Sequence, residues 1–126
     1  GRFLAFAPDG KTIAIEQGRI NFALFDLATR KEIYIFKGHT SRITSFVFSP
    51  DGKRIATGSA DGTVKLWDPK TGLESATLRP EAGRIFSVAF SSDGQTLAVA
   101  CQDRTVKLWR AATPEEVRSP EDKTPP

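Results

Sequence analysis

The stretch FSPDGKRIATGSADGTVKLWD, from Phe48 to Asp68, decides the fold because most of it recurs along the chain. The sequence FAPDGKTIAI begins at Phe6 and FSSDGQTLAV begins at Phe90, so the three copies lie 42 residues apart without a gap. The endings ALFD, KLWD and KLWR follow at the same offset. A fixed period of this length indicates a repeat architecture in which each repeat forms one supersecondary unit.

Each 42-residue unit predicts four short β-strands. In the middle unit these strands are ITSFVF, RIATGS, TVKLWD and LESATL, and the segments SPDGK, ADG and PKTG separate them. Pro, Asp and Gly in these segments are typical of tight turns between antiparallel strands. No segment shows a sustained helical period, so we predict an all-β fold with one four-stranded antiparallel sheet per unit.

The predicted strands carry apolar side chains on both faces. In ITSFVF, strict alternation places Ile43 and Val47 on one face and Phe46 and Phe48 on the other. A sheet that is apolar on both faces must be covered on both, and stacking against the next unit covers it.

The Gly38-His39 pair, the stretch from Phe48 to Asp68 and the 42-residue period resemble those of WD-repeat β-propellers over about residues 1–113. The resemblance implies a ring of four-stranded blades, which in this family typically number four to eight. It therefore implies that the chain is a three-blade fragment of a larger ring. The last blade is expected to lack its outer strand, because the segment after Trp109 is rich in proline. The ending WRAATPEEV is similar to the ends of bacterial multidomain WD-repeat proteins.

On this basis the chain divides into four segments. They are a first repeat with a partial start at 1–41, a second repeat at 42–83, an incomplete third repeat at 84–113 and a disordered Pro-rich tail at 114–126.

The middle repeat contains a His, a Ser and an Asp, the residue types of a catalytic triad. The resemblance implies instead a buried hydrogen-bond network that fixes the shape of the blade. In this interpretation the network contains His39, Ser59 (with Thr57 as the less favoured choice), Asp61 and Trp67, and Asp103 and Trp109 are its equivalents in the third repeat. We therefore expect no catalytic residue, and a chain that is not an enzyme.

The neighbouring repeats depart from this pattern. Glu81 and Cys101 replace the His and the Ser in the third repeat, and Arg19 and Phe25 replace the Asp and the Trp in the first. The middle repeat is therefore expected to be the most firmly held.

The resemblance also implies a binding face formed by two sets of loops. One set precedes the first strand of a blade and the other joins its second and third strands. Here the candidate residues are Arg42, Thr44, Ala60, Arg84, Phe86 and Gln102. Arginine beside an exposed aromatic residue is typical of binding hot spots, and paired arginines suit acidic or phosphorylated peptides. We predict a protein-protein interaction scaffold, with self-association or further blades covering the open ends.

Two alternatives remain open. The chain could belong to a propeller enzyme or ligand-binding ring whose active residues lie in other blades, or it could bind nucleic acid. The formal net charge of +3 comes from scattered basic residues, which does not favour nucleic acid.

The composition narrows the remaining classes of site. The chain has one His and one Cys, Cys101, and this pair supplies too few ligands for a zinc site. We therefore expect no metal and no cofactor. No apolar run is long enough to cross a membrane, so we expect no membrane partner. We also expect a cytoplasmic location, because a single cysteine is compatible with a reducing compartment.

Overall fold

The structure is a computed structural model that describes residues 4–113, 116–117 and 121–123. It contains no helix in these residues and consists of three antiparallel sheets, which confirms the predicted all-β class. Each sheet corresponds to one 42-residue unit. Residues 1–3 of the predicted partial start lie outside the described residues, as do 114–115, 118–120 and 124–126 of the predicted tail.

The first and second sheets each have four strands in sequence order, joined by hairpins. The first sheet consists of β1 (Leu4–Phe6), β2 (Thr12–Gln17), β3 (Asn21–Asp26) and β4 (Lys31–Phe36). The second sheet consists of β5 (Ile43–Phe48), β6 (Ile55–Ser59), β7 (Val64–Asp68) and β8 (Leu73–Leu78). All four strands predicted for the middle unit are therefore present, with ends that agree to within one residue.

The third sheet has three strands of six to eight residues and two short ones at its outer edge. Its strands are β9 (Ile85–Phe90), β10 (Thr96–Cys101), β11 (Val106–Thr113), β12 (Glu116–Val117) and β13 (Glu121–Lys123). Both short strands pair antiparallel with β11. The expected contrast with the other sheets is confirmed: among the described residues the third sheet has no fourth strand of ordinary length, only these short segments beside β11. Proline removes a ladder donor only at its own position, so neighbouring residues can still pair.

One core lies between the first and second sheets. Its centre is aromatic: the rings of Phe22 and Phe36 stack with centroids 4.4 Å apart, and Trp67 meets both edge-on at 5.5 Å. A register shift between Ile43 and Ser45 turns Ile43 toward this core, so Ile43 and Val47 do not share a face as strict alternation predicts. A second core lies between the second and third sheets and includes Ala56, Leu66, Ile85, Val99 and Trp109.

Candidate functional site

A chain of hydrogen bonds joins three side chains beside the first core. The indole Nε1 of Trp67 lies 2.9 Å from Thr57 Oγ1, and Thr57 Oγ1 lies 2.7 Å from His39 Nε2. An indole N–H can only donate, so Thr57 accepts this bond. Its own hydrogen is directed at His39 Nε2 at 2.7 Å, because the other acceptor, Lys65 O, lies at 3.5 Å. His39 Nε2 must then act as the acceptor, which leaves the proton on Nδ1.

The Nδ1 proton of His39 is donated to Asp61 Oδ2 at 3.0 Å. His39 is therefore neutral, in agreement with the burial of its ring, which lowers its pKa below 6.5 despite the nearby carboxylate. Desolvation alone would raise the pKa of Asp61. Hydrogen bonds from Thr63, from the backbone N–H of Thr40 and from His39 outweigh that effect and lower it to about 2. The carboxylate is therefore ionised and saturated with donors.

Ser59 does not occupy the position that we assigned to it. Thr57, the less favoured choice, is the hydroxyl that links His39 to Trp67. Ser59 Oγ points instead at the backbone oxygens of Ser41 and Arg42, at 3.1 and 2.9 Å, and accepts the N–H of Asp61 at 3.1 Å. Ser59 thus joins the loop before β5 to the β6–β7 loop of the same sheet. The physical reason is register: Thr57 lies diagonal to Trp67 across the β6–β7 ladder, whereas Ser59 lies two residues further along.

This arrangement lacks the geometry of a triad. The Ser59 side chain is fully buried, and none of its hydrogen bonds goes to His39. A nucleophile must contact its base and must be able to reach a substrate. The network can therefore stabilise the second sheet, and the Ser59 hydroxyl is not accessible to a substrate.

The third sheet retains only part of the network. Trp109 is buried, but Val99 takes the position of Thr57 and has no hydroxyl to offer. Asp103 is exposed and bonds Thr105, whose hydroxyl is the main cause of its lowered pKa. Glu81 takes the position of His39 in this sheet. Its backbone is left-handed, with φ of +57°, and the residue lies on the surface. In this sheet the carboxylate of Asp103 accepts hydrogen bonds only within its own turn among the bonds described.

The two loop sets of the predicted binding face do meet. The backbone N–H of Ala60 donates to Arg42 O at 3.0 Å, and that of Gln102 donates to Arg84 O at 2.9 Å. The same bond thus recurs one repeat apart and gives Arg42 and Arg84 equivalent places in adjacent sheets. Both arginines are exposed.

Thr44 and Phe86 lie elsewhere. Thr44 is half-buried and donates its hydroxyl to Ile85 O at 2.6 Å, so it faces the third sheet. Phe86 occupies the equivalent position in the third sheet and is 57% exposed, so it lies on the outer face of that sheet. The register shift at the start of β5 and β9 turns both residues to the face of their sheet that lies away from the preceding sheet.

An open groove of about 480 Å³ lies between the loops of the second and third sheets. It contains Ala60, Arg84 and Gln102, but Arg42 does not line it. The other lining residues are Asp61, Gly62, Thr63, Arg79, Glu81, Ala82 and Gly83. Arg79 and Glu81 were not among the residues predicted for the binding face; the signal for them was the loop RPEAGR, in which two arginines flank a tight turn.

Gly83 and Gln102 shape one wall of this groove. Gly83 has φ of +82°, and a Cβ atom there would lie 2.6 Å from Gln102 Oε1. That oxygen accepts the backbone N–H of Arg84 at 3.0 Å. Only glycine allows this close approach, so Gly83 and Gln102 together hold Arg84 at the groove.

Among the residues that the structure describes, no group of three His, Cys, Asp or Glu side chains could hold a metal ion. Within the same residues, no helix is long and apolar enough to cross a membrane.

Comparison with known proteins identifies the repeats. The family model described as WD domain, G-beta repeat matches residues 30–68 and 73–110, which is more than half of the chain. Each match begins with the outer strand of one sheet and ends with the third strand of the next. No curated protein matches the chain at a significant level. The two matches, together with the stacked four-stranded sheets, show that the chain belongs to the WD-repeat family.

Proposed function

We propose that the chain is a non-enzymatic module that binds an acidic or phosphorylated segment of a protein in the groove between the second and third sheets. Repeats of this family generally serve as protein-interaction scaffolds and are typically not enzymes. The identity of the groove as the binding site, and the chemistry of the partner, are our proposal.

The observation that carries this proposal is a pair of arginines at one groove. Arg79 and Arg84 are exposed and line it together. Among the described residues, no ion pair engages either guanidinium within 4.0 Å. Arginine binds carboxylate and phosphate groups through two parallel N–H donors, so two such side chains favour a partner with closely spaced negative charges.

The acidic groups of the groove do not cancel this preference. Asp61 already accepts hydrogen bonds on both carboxylate oxygens, from His39, Thr40 and Thr63. Glu81 is the remaining carboxylate of the lining. Among the described residues, the groove thus offers two cations, Arg79 and Arg84, and one free anion, Glu81. This arrangement favours an acidic segment that also carries one hydrogen-bond donor for Glu81.

The test uses synthetic fluorescent peptides and the 126-residue chain. One peptide alternates Glu and Ser, a second carries phosphoserine in place of Ser, and a third alternates Lys and Ser. Fluorescence anisotropy should show binding of the first two and not of the third. Arg79→Glu and Arg84→Glu should each weaken binding about tenfold or more, since a charged hydrogen bond contributes about 1.5–3 kcal/mol.

Lys53→Glu is the matched control for charge. Lys53 is exposed in the β5–β6 turn, at the opposite end of β6 from the groove. It should leave affinity nearly unchanged. Equal losses in the control and the groove variants would show a general charge effect, and unchanged affinity in both arginine variants would refute this site.

Nucleic acid is tested in the same assay. Labelled single- and double-stranded DNA should not bind with a steep dependence on salt, which is the signature of phosphate contacts. A cytoplasmic location and a bacterial origin stay predictions.

A further inference from the structure

The first sheet has an apolar outer face, opposite the face that packs on the second sheet. Leu4 and Phe6 of β1 are 66% and 65% exposed. Phe6 pairs with Ile13, and Ile13 pairs with Phe25, so one apolar strip crosses three strands. Exposed strips of this kind mark interaction surfaces.

This strip corresponds to a surface that is already buried elsewhere in the molecule. One repeat later, Phe6, Ile13 and Phe25 become Phe48, Ile55 and Trp67. Ile55 and Trp67 belong to the core between the first and second sheets, and Phe48 packs against it. The outer face of the first sheet therefore has the pattern of a surface that receives another sheet.

The third sheet presents the complementary pattern on its own outer face. Ala98 pairs with Ala89 on one side and with Leu108 on the other. In the second sheet the equivalent row is Val47, Ala56 and Leu66, which faces the third sheet. In the first sheet it is Ala5, Ala14 and Leu24, which faces the second. The exposed ring of Phe86 adds to this face.

We propose that a second copy of the chain covers both faces. The first sheet of one copy packs on the third sheet of its partner, and the first sheet of the partner packs on the third sheet of the first copy. Both contacts repeat the interfaces seen between sheets within one copy. A two-fold axis relates them, so the pair closes a ring of six sheets, within the usual range of four to eight.

The chain itself favours a second copy as the occupant, because it carries both halves of the interface. A head-to-tail contact between copies either closes or grows without limit. With three sheets per copy, two copies suffice for closure. The faces involved are distinct from the groove, so this proposal stands independently of the proposed function.

The test measures the molar mass of the 126-residue chain by size-exclusion chromatography with light scattering, over a range of concentrations. We expect twice the monomer mass of 13.8 kDa, without further growth. Phe6→Glu and Phe86→Glu should each reduce the mass to that of the monomer. Both side chains are more than half exposed, so circular dichroism should show intact sheets. Leu4→Glu is the second variant for the first sheet.

Leu73→Glu is the matched control, because Leu73 is 67% exposed but belongs to the second sheet. It should remain dimeric. Mixing the Phe6→Glu and Phe86→Glu chains should restore the dimer mass, since one of the two contacts is then free of both substitutions. A monomeric wild-type chain would overturn the proposal and point to another protein segment as the cover. Growth beyond the dimer, or a dimer that tolerates Phe86→Glu, would also overturn it.

Discussion

Replacing Thr57 with valine removes one oxygen atom from the centre of the network and nearly preserves the shape of the side chain. The hydroxyl accepts the indole N–H of Trp67 and donates to His39 Nε2. Trp67 and His39 are 2% and 4% exposed, so water cannot replace the lost partner. Valine is the natural residue at the equivalent position of the third sheet, Val99.

The expected loss of stability follows from these two orphaned groups. Each buried group left without a partner costs about 1–3 kcal/mol. The additional methyl group of valine returns about 0.8 kcal/mol through burial. We therefore expect Thr57→Val to lower the free energy of unfolding by about 1–5 kcal/mol.

Urea unfolding followed by far-UV circular dichroism measures this loss. At a mid-range slope of about 2 kcal/mol per molar urea, the midpoint should fall by about 0.5–2.5 M. Thr12→Val is the matched control, because Thr12 lies on a strand, is half-buried and makes no side-chain hydrogen bond to any described residue. It should change stability by less than about 0.5 kcal/mol.

A double-mutant cycle with Trp67→Phe isolates the bond itself. Phenylalanine occurs naturally at the equivalent position of the first sheet, Phe25. If Thr57 acts through the indole, the double variant should lose at least about 1 kcal/mol less than the sum of the single losses. Additive losses, or a Thr57→Val midpoint equal to that of the wild type, would refute the assignment of Thr57 to the network.

Three further predictions concern the surroundings of this network. The pKa of His39 in the folded chain lies below its ordinary value of 6.5, so below that pH the unfolded chain binds a proton that the folded chain does not. The free energy of unfolding should therefore be at its full value above pH 6.5 and fall by up to about 1.4 kcal/mol per pH unit below it. In urea titrations at several pH values, His39→Gln should flatten this slope. Gly38→Ala should lower the melting temperature by several degrees, because a Cβ atom would lie 3.1 Å from Trp67 Cη2. Tyr34→Phe should cost about 0.5–1.5 kcal/mol in the same assay by removing the 2.7 Å bond to Lys70 O, and an unchanged midpoint would show that this link between the first two sheets is unimportant.

The sequence was sufficient to predict the sheets because turn chemistry repeats in register. The hairpin at Ser49–Lys53 shows why: Asp51 accepts the Lys53 N–H at 2.9 Å and the Ser49 hydroxyl at 2.6 Å, and Gly52 has φ of +72°. Such turns depend on a few adjacent residues and leave a clear local pattern. The strands between them follow from the composition of the repeat.

The choice between Thr57 and Ser59 could not be made from alternation alone. Residues two apart point to the same face of a strand, so both hydroxyls are equally eligible by period. The distinguishing fact is the register of the β6–β7 hairpin, which sets Thr57 opposite Lys65 and diagonal to Trp67. A turn of different length at residues 60–63 would change this register.

The groove could be predicted only in part, because its shape depends on the backbone of one loop. Glu81 and Gly83 both adopt positive φ, and Glu81 therefore turns away from the place that His39 takes in the second sheet. A non-glycine residue in this conformation is uncommon, and the sequence gives no local reason for it. Arg84 was predicted from the repeat as a candidate for the binding face, whereas the place of Arg79 beside it is visible only in the folded loop.

The one-strand offset between the matched repeats and the sheets has a consequence for cooperativity. The range 30–68 contributes its first strand to one sheet and the other three to the next. Unfolding of one matched repeat therefore removes the outer strand of the preceding sheet and exposes the face of the sheet that follows. In linear repeat proteins neighbouring units are coupled mainly through their packed faces. Here the hydrogen-bonded ladders overlap as well, so partly unfolded chains that retain two intact sheets should be sparsely populated, and the chain should lose its structure in a single step.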